Sequence, residues 1–149
     1  MDSIEQAVRS LPSVRLQIVD YNHHLPFLDQ LKTTHSTDVF IGMHGAGLTH
    51  LLFLPDWAAV FEIYHCEDRG CYRDLARIRG VKYFTWPDQK LHLIIPDNND
   101  DKREKFVNYS FDVDEFKNQV QKMVEWVRRH PKFTDARRKE RRRLKKLEL

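Results

Sequence analysis

Val39-Phe40-Ile41-Gly42-Met43-His44-Gly45-Ala46-Gly47-Leu48-Thr49-His50 passes from an apolar run through a glycine-rich turn into a second apolar stretch. Residues 38–42 form an apolar run ending in glycine, the pattern of a buried strand in a parallel sheet. Residues 47–54 read as a short helix, stopped by Pro55. In an open parallel sheet ligands collect beyond the carboxyl ends of the strands, and this turn falls there. Glycines let backbone approach a ligand closely, and the N–H groups that open a helix, helped by its dipole, suit a phosphate or diphosphate. His44 is placed to donate a hydrogen bond to such an oxyanion, and Thr49 to add a hydroxyl. The alternative is a tight structural turn with a solvent-facing histidine, and spacing does not separate the two. The stretch does not fit G-x-G-x-x-G and has no lysine at a Walker position. Nor does a serine stand between its glycines, as a nucleophile elbow requires.

Working outward, residues 14–20 (Val-Arg-Leu-Gln-Ile-Val-Asp) alternate at period two and predict a strand. Residues 26–34 place Phe27, Leu28 and Leu31 on one helical face, with Pro26 suited to the first turn. Residues 58–64 predict a third, buried strand. Residues 71–79 predict a helix with Tyr72, Leu75 and Ile78 on one side, closed by Gly80, and residues 81–86 a fourth strand. This alternation predicts an α/β fold, a parallel sheet covered by helices. Residues 87–105 are polar and turn-rich and read as a surface loop in which only residues 91–96 can pair locally. Residues 113–130 carry the strongest helical pattern: Phe116, Val120, Met123, Val124 and Val127 form one stripe, Asp112 or Asp114 stands near its start, and Arg128 and Arg129 complement its end.

A chain of 149 residues suffices for one domain with a sizeable core. Its 41% hydrophobic content, with three Trp, five Tyr and nine Phe, excludes wholesale disorder, a collagen-like repeat and a disulfide-dense mini-protein. No stretch approaches the ~18 apolar residues of a transmembrane helix. Met1-Asp2-Ser3-Ile4-Glu5-Gln6 lacks the basic start and apolar core of a signal peptide, so the expectation is that the chain does not direct its own secretion. Residues 128–149 hold 11 Lys and Arg against three Asp and Glu, whereas the whole chain is only +3. The pI of 8.9 therefore belongs to the tail, and residues 1–127 are net acidic. Nucleic-acid binding would need basic groups on the folded face with stacking aromatics between them, and the tail offers only Phe133. No nucleic-acid partner is expected. The organisation read from this is one domain over residues 1–130 and a basic tail, a solvated terminal helix, over residues 131–149.

Thr37-Asp38 followed by Ile41-Gly42-Met43-His44-Gly45-Ala46-Gly47-Leu48-Thr49 resembles the signature of glycosyltransferase family 61. Phe53-Leu54-Pro55, Val60-Phe61-Glu62-Ile63-Tyr64 and Tyr72, Leu75, Ala76, Gly80 and Tyr83 fit the same pattern. The resemblance is specific over residues 37–83 and extends more loosely over most of the chain. It implies a GT-B-type enzyme of two Rossmann-like halves, the nucleotide-sugar being held mainly by the C-terminal half, and this chain looks like that C-terminal half alone. The activity implied is inverting transfer of N-acetylglucosamine from UDP-GlcNAc to Ser or Thr hydroxyls of EGF-like domains in the secretory pathway. The other reading is a nucleotide-binding module that lacks the N-terminal half and does not turn over.

Carried over by the resemblance, His44, Gly45, Ala46, Gly47, Leu48 and Thr49 face the uridine diphosphate, and Glu62 accepts hydrogen bonds from the ribose hydroxyls. A carboxylate in a buried run needs a partner, so a salt bridge to Arg77 or Arg79 is the alternative role for Glu62. Asp38 reads as a structural cap rather than a cleft residue. No catalytic base is assigned; inverting transfer needs one, and the N-terminal half is a place for it. No Asp-x-Asp lies on an early strand, since Asp112-Val113-Asp114 reads as a helix cap, and a divalent cation is left open with no residues assigned to it.

Asn108-Tyr109-Ser110 is an N-glycosylation acceptor triplet. Lys146-Leu147-Glu148-Leu149 resembles the K-D-E-L signal with Leu147 in place of Asp, which implies a retention receptor; the alternative is an amphipathic helix end. Both features, with the family resemblance, predict the endoplasmic reticulum lumen. Cys66 and Cys71 enclose a short polar loop that a disulfide could close in an oxidising lumen, and free thiols are equally open. His65-Cys66…Cys71 shows no fourth ligand, so no metal is assigned. His23, His24 and His92 have no partner at ligand spacing and read as surface residues.

Overall fold

Three parallel strands run side by side in the order β1 (Val39–Met43), β2 (Ala59–Ile63) and β3 (Lys82–Phe84). The computed structural model describes residues 2–63, 70–96 and 109–147 of the chain. In the parallel ladders Gly42 lies beside Glu62, and Val60 beside Tyr83. The central strand β2 is buried along its whole length, as its unbroken apolar run predicts.

Period two splits β2 between two cores. Ala59, Phe61 and Ile63 face a cluster with Val8, Leu11, Trp86, Phe116, Val120, Met123 and Val127, supplied largely by α1 (Asp2–Arg9) and α4 (Val113–Arg129). Ala58 and Val60 face Leu48, Leu51, Leu54, Tyr72, Ala76 and Val81. This second core lies under a 3-10 helix, Ala46–Phe53, and α3 (Cys71–Arg79), with α2 (Phe27–His35) packed on the 3-10 helix. The result is a helix–sheet–helix sandwich, the α/β arrangement expected. Helix ends follow local chemistry: Gly80 closes α3 in the left-handed region at φ +82°, and the Asp112 side chain accepts from the Glu115 N–H at 2.7 Å to cap α4.

Four expectations are corrected. Residues 14–20 form no ladder with β1. Arg128 Nη2 donates to the Pro12 carbonyl at 2.7 Å, and the Tyr21 hydroxyl pairs with Thr34 Oγ1 at 2.7 Å, so the segment is tied at its ends to α4 and α2 and stands off from the sheet. On α2, Phe27 and Leu28 are exposed and Thr34 is buried. The inward face is polar: the Gln30 amide donates to the Asn22 and Leu25 carbonyls, and Thr34 Oγ1 donates to the Gln30 carbonyl. On α3 the inward residues are Tyr72 and Ala76 with Leu75 partly covered, and Ile78 is exposed. The short helix after the turn is a 3-10 helix and begins at Ala46 rather than Gly47.

The region read as a loop holds a second 3-10 helix, Asp88–Leu93, and β4 (Ile94–Pro96), which pairs antiparallel with β5 (Tyr109–Phe111). The basic tail is a helix, α5 (Pro131–Leu147), with no buried residue; Phe133 near its start rests against Trp57 at a ring separation of 6.1 Å. Lys132 Nζ and Arg79 Nη2 both reach Asp56, at 2.6 and 3.1 Å, and hold its carboxyl below the usual range, Lys132 more than Arg79. No described helix is long and apolar enough to cross a membrane. Cys71 is exposed at the start of α3. Cys66, with which a disulfide or a free pair of thiols was equally open, lies with His65, Asn108, Glu148 and Leu149 outside the described residues.

Candidate functional site

The carboxyl ends of β1 and β2 meet the start of the 3-10 helix, and there the structure brings together His44, Gly45, Ala46, Gly47 and Glu62. The His44 N–H donates to the Ile63 carbonyl at 2.9 Å, carrying the β1–β2 ladder one residue past the strand. Gly45 follows at φ +152°, ψ 175°, a conformation that a side chain would strain, and this reverses the chain into the helix. The helix is anchored by Leu48, which is buried in the second core. Gly42 makes that seat: a Cβ there would stand 3.0 Å from Leu48 Cδ2.

The site residues expected from the sequence divide by role. The Leu48 N–H bonds the Gly45 carbonyl at 2.9 Å, so Leu48 anchors the turn by side chain and backbone alike. Thr49 Oγ1 donates to the Ala46 carbonyl at 2.7 Å, so its hydroxyl proton is turned onto the helix. A helix leaves its first N–H groups without intrahelical acceptors, which makes Ala46 and Gly47 the donors at the mouth of the turn. A Cβ on Gly47 would meet no heavy atom within 4 Å.

Glu62 is almost wholly buried, at 2% exposure. Its Oε1 is hydrogen-bonded to His44 Nδ1 at 2.5 Å, and its Oε2 accepts from the Tyr83 hydroxyl at 2.5 Å. Thr85 Oγ1 donates to the Glu62 carbonyl at 2.9 Å. The edge of one ring meets the face of the other between His44 and Tyr72, 5.2 Å apart at 78°. The arginine partners considered for Glu62 are elsewhere: Arg79 donates to the Leu52 and Leu54 carbonyls and to Asp56, and Arg77 pairs with Asp74. Asp38 accepts from Trp57 Nε1 at 2.7 Å and also lines the cleft beside β1, so both positions weighed for it are occupied. Tyr83 and Thr85 were not assigned from the sequence, although Val81, Tyr83 and Thr85 alternate onto the Glu62 side of the sheet. His50 stands on the buried side of the 3-10 helix, with Nε2 on Gln30 Oε1 at 2.9 Å, and burial lowers its pKa.

A cleft of about 1210 Å³ runs along the open edge of β1, between residues 13–19 and the α4–α5 side, and reaches the turn at Met43, Gly47 and Leu48.

Residues 1–61 match the family model described as Glycosyltransferase 61. Over these residues the chain is similar to glycosyltransferase family 61. The family model ends one residue before Glu62, and the likeness to individual proteins continues past it. Proteins named EGF domain-specific O-linked N-acetylglucosamine transferase are 50% identical over 139 residues in Xenopus laevis and 51% over 138 in Mus musculus, covering 89% of this chain and 26% of each relative. The protein of that name in Drosophila melanogaster is 51% identical over 123 residues, 79% of this chain and 23% of its own length. The chain thus spans about a quarter of the length of the curated relatives it matches, and corresponds to their C-terminal part.

Proposed function

We propose that this chain is the donor-binding part of a family 61 glycosyltransferase, with the Rossmann-like sheet of a GT-B C-terminal half. It holds a UDP-sugar, UDP-GlcNAc, by its diphosphate at His44 and the Ala46 and Gly47 N–H groups. The transfer it serves is of N-acetylglucosamine to Ser or Thr hydroxyls of EGF-like domains. The observation that carries this reading is the placement of a glycine-opened helix start beside His44 beyond the carboxyl end of β1. The first N–H groups of a helix and its dipole suit the charged part of a nucleotide-sugar. The acceptor and the sugar come from the names of the relatives.

Calorimetric titration of the chain with UDP and with uridine tests the reading. A charge-assisted hydrogen bond contributes about 1.5–3 kcal/mol, so His44→Ala is expected to weaken UDP about 10-fold or more. Uridine, which has no diphosphate, should weaken less than about twofold. Equal losses on both ligands would remove His44 from the diphosphate.

We further propose the endoplasmic reticulum lumen as the compartment, on residues 146–149 and the Asn108 triplet. A retention signal is read at a free C-terminus and not by packing. Deleting the last four residues from a version carrying a signal peptide should release protein to the medium with no change in melting temperature. Changing Leu147 and Leu149 to Ala, which keeps every charge, should do the same. Retention of both altered chains would make these residues a helix end only.

A further inference from the structure

We infer that Glu62 is a positioning residue for His44: its buried carboxylate grips the imidazole by Nδ1, so that Nε2 is the nitrogen that meets the diphosphate, and Glu62 itself does not touch the ribose. The inference rests on the nucleotide reading proposed above. An ionised carboxylate only accepts hydrogen bonds, and donors converge on Glu62 from two elements, His44 at the end of β1 and Tyr83 on β3. Thr85 fixes the backbone at the same residue, through the Glu62 carbonyl. The carboxylate is therefore locked from both neighbouring strands, and a ribose hydroxyl would have to compete with one of two 2.5 Å bonds.

The two ring nitrogens of a histidine are distinct, and the partner of one decides what the other can do. With Nδ1 donating to Glu62, His44 can donate to a phosphate oxygen only through Nε2, and the ring then carries both protons. A buried carboxylate is the counter-charge that such a ring requires. Tyr72, edge to face with the imidazole, limits its rotation about the remaining axis. Diphosphate, imidazole and carboxylate thus form a line of alternating charge, with Tyr83 holding its inner end.

The experiment uses the 149-residue chain labelled with 15N. Long-range proton–nitrogen spectra report the ring protons of His44, whose signals are identified by their loss in His44→Ala. The parent should show the proton on Nδ1, and UDP should bring the second proton onto Nε2. Glu62→Met removes both acceptors at similar volume; it should release the Nδ1 proton and weaken UDP about 10-fold or more, with uridine changed less than about twofold. In the His44→Ala background the same substitution should change UDP affinity less than about twofold, because its effect runs through the ring. Equal losses of UDP and uridine that persist without His44 would overturn the inference and return Glu62 to the ribose. Should Glu62→Met not fold, Glu62→Gln, which offers one oxygen to two donors, is read in the same way. Should the parent bind no UDP, the nucleotide reading fails, and the ring spectra still decide: a parent ring protonated on Nε2 alone refutes the grip by Glu62, and a proton on Nδ1 that the substitution releases sustains it.

Discussion

Gly47→Val is expected to lower UDP affinity about 100-fold or more, on the order of 2.7 kcal/mol, while the melting temperature stays within a few degrees. The two effects separate because of where the new atoms go. A Cβ on Gly47 meets nothing within 4 Å, so the fold accepts it; the space it enters is the mouth of the turn, where backbone and diphosphate must come close. Gly45 cannot give so clean a result. At φ +152° any side chain strains the backbone, so Gly45→Val costs stability on the order of 1–3 kcal/mol whether or not a ligand is bound. The sequence alone made these glycines look interchangeable, and backbone geometry distinguishes them. Gly42→Ala is the structural control: its Cβ would press Leu48 and shift the helix, moving melting temperature and affinity together. Calorimetry and thermal melting on the same preparations decide the matter. A folded Gly47→Val chain with unchanged UDP affinity would exclude the turn from the site.

What could be read from the sequence was what a single period encodes. Residues 71–79 and the stripe from Phe116 to Val127 gave α3 and α4 almost to the residue, because one apolar face and a capping residue suffice to mark a helix. The apolar runs at 38–42 and 58–64 gave β1 and β2, and of these β2 is buried along its whole length, as a strand covered on both faces is. Periodicity names a face but not its partner. Residues 14–20 alternate as a strand does, and their ends are tied to α4 and α2 instead of to β1. On α2 Phe27 and Leu28 are outside and Leu31 is half-buried, while Gln30 bonds the Asn22 and Leu25 carbonyls and Thr34 the Tyr21 hydroxyl, and no hydropathy pattern reports that preference. At the site, the turn was legible from its glycines. The carboxylate was also legible as anomalous, a charge inside Val60-Phe61-Glu62-Ile63. Its partners were not, since they depend on register: Tyr83 lies beside Val60, one pleat short of Glu62 on the same face, and only the β2–β3 alignment puts its hydroxyl within reach.

Phe61→Ala is expected to cost about 3–5 kcal/mol of stability, the range for truncating a large core aromatic. Against the 5–15 kcal/mol of a typical domain, that leaves the chain near its unfolding threshold. Phe61 has no exposed surface and meets Trp86 and Phe116 edge to face, with ring centroids 5.2 and 6.0 Å away at 86° and 80°. It joins the sheet to α4, so few neighbouring atoms are free to close the hole. Phe61→Leu keeps an apolar filling and should lose less, on the order of 1–2 kcal/mol, leaving a folded chain for binding measurements. Successive residues of a strand face opposite sides of the sheet, so Phe61 and its neighbour Glu62 serve different layers. Phe61→Leu should therefore lower the urea midpoint and leave UDP affinity within about twofold, whereas Glu62→Met disturbs the His44 side directly. A Phe61→Leu chain that kept its urea midpoint and lost UDP would mean that this strand faces the wrong way, and the placement of Glu62 beneath His44 would fall with it.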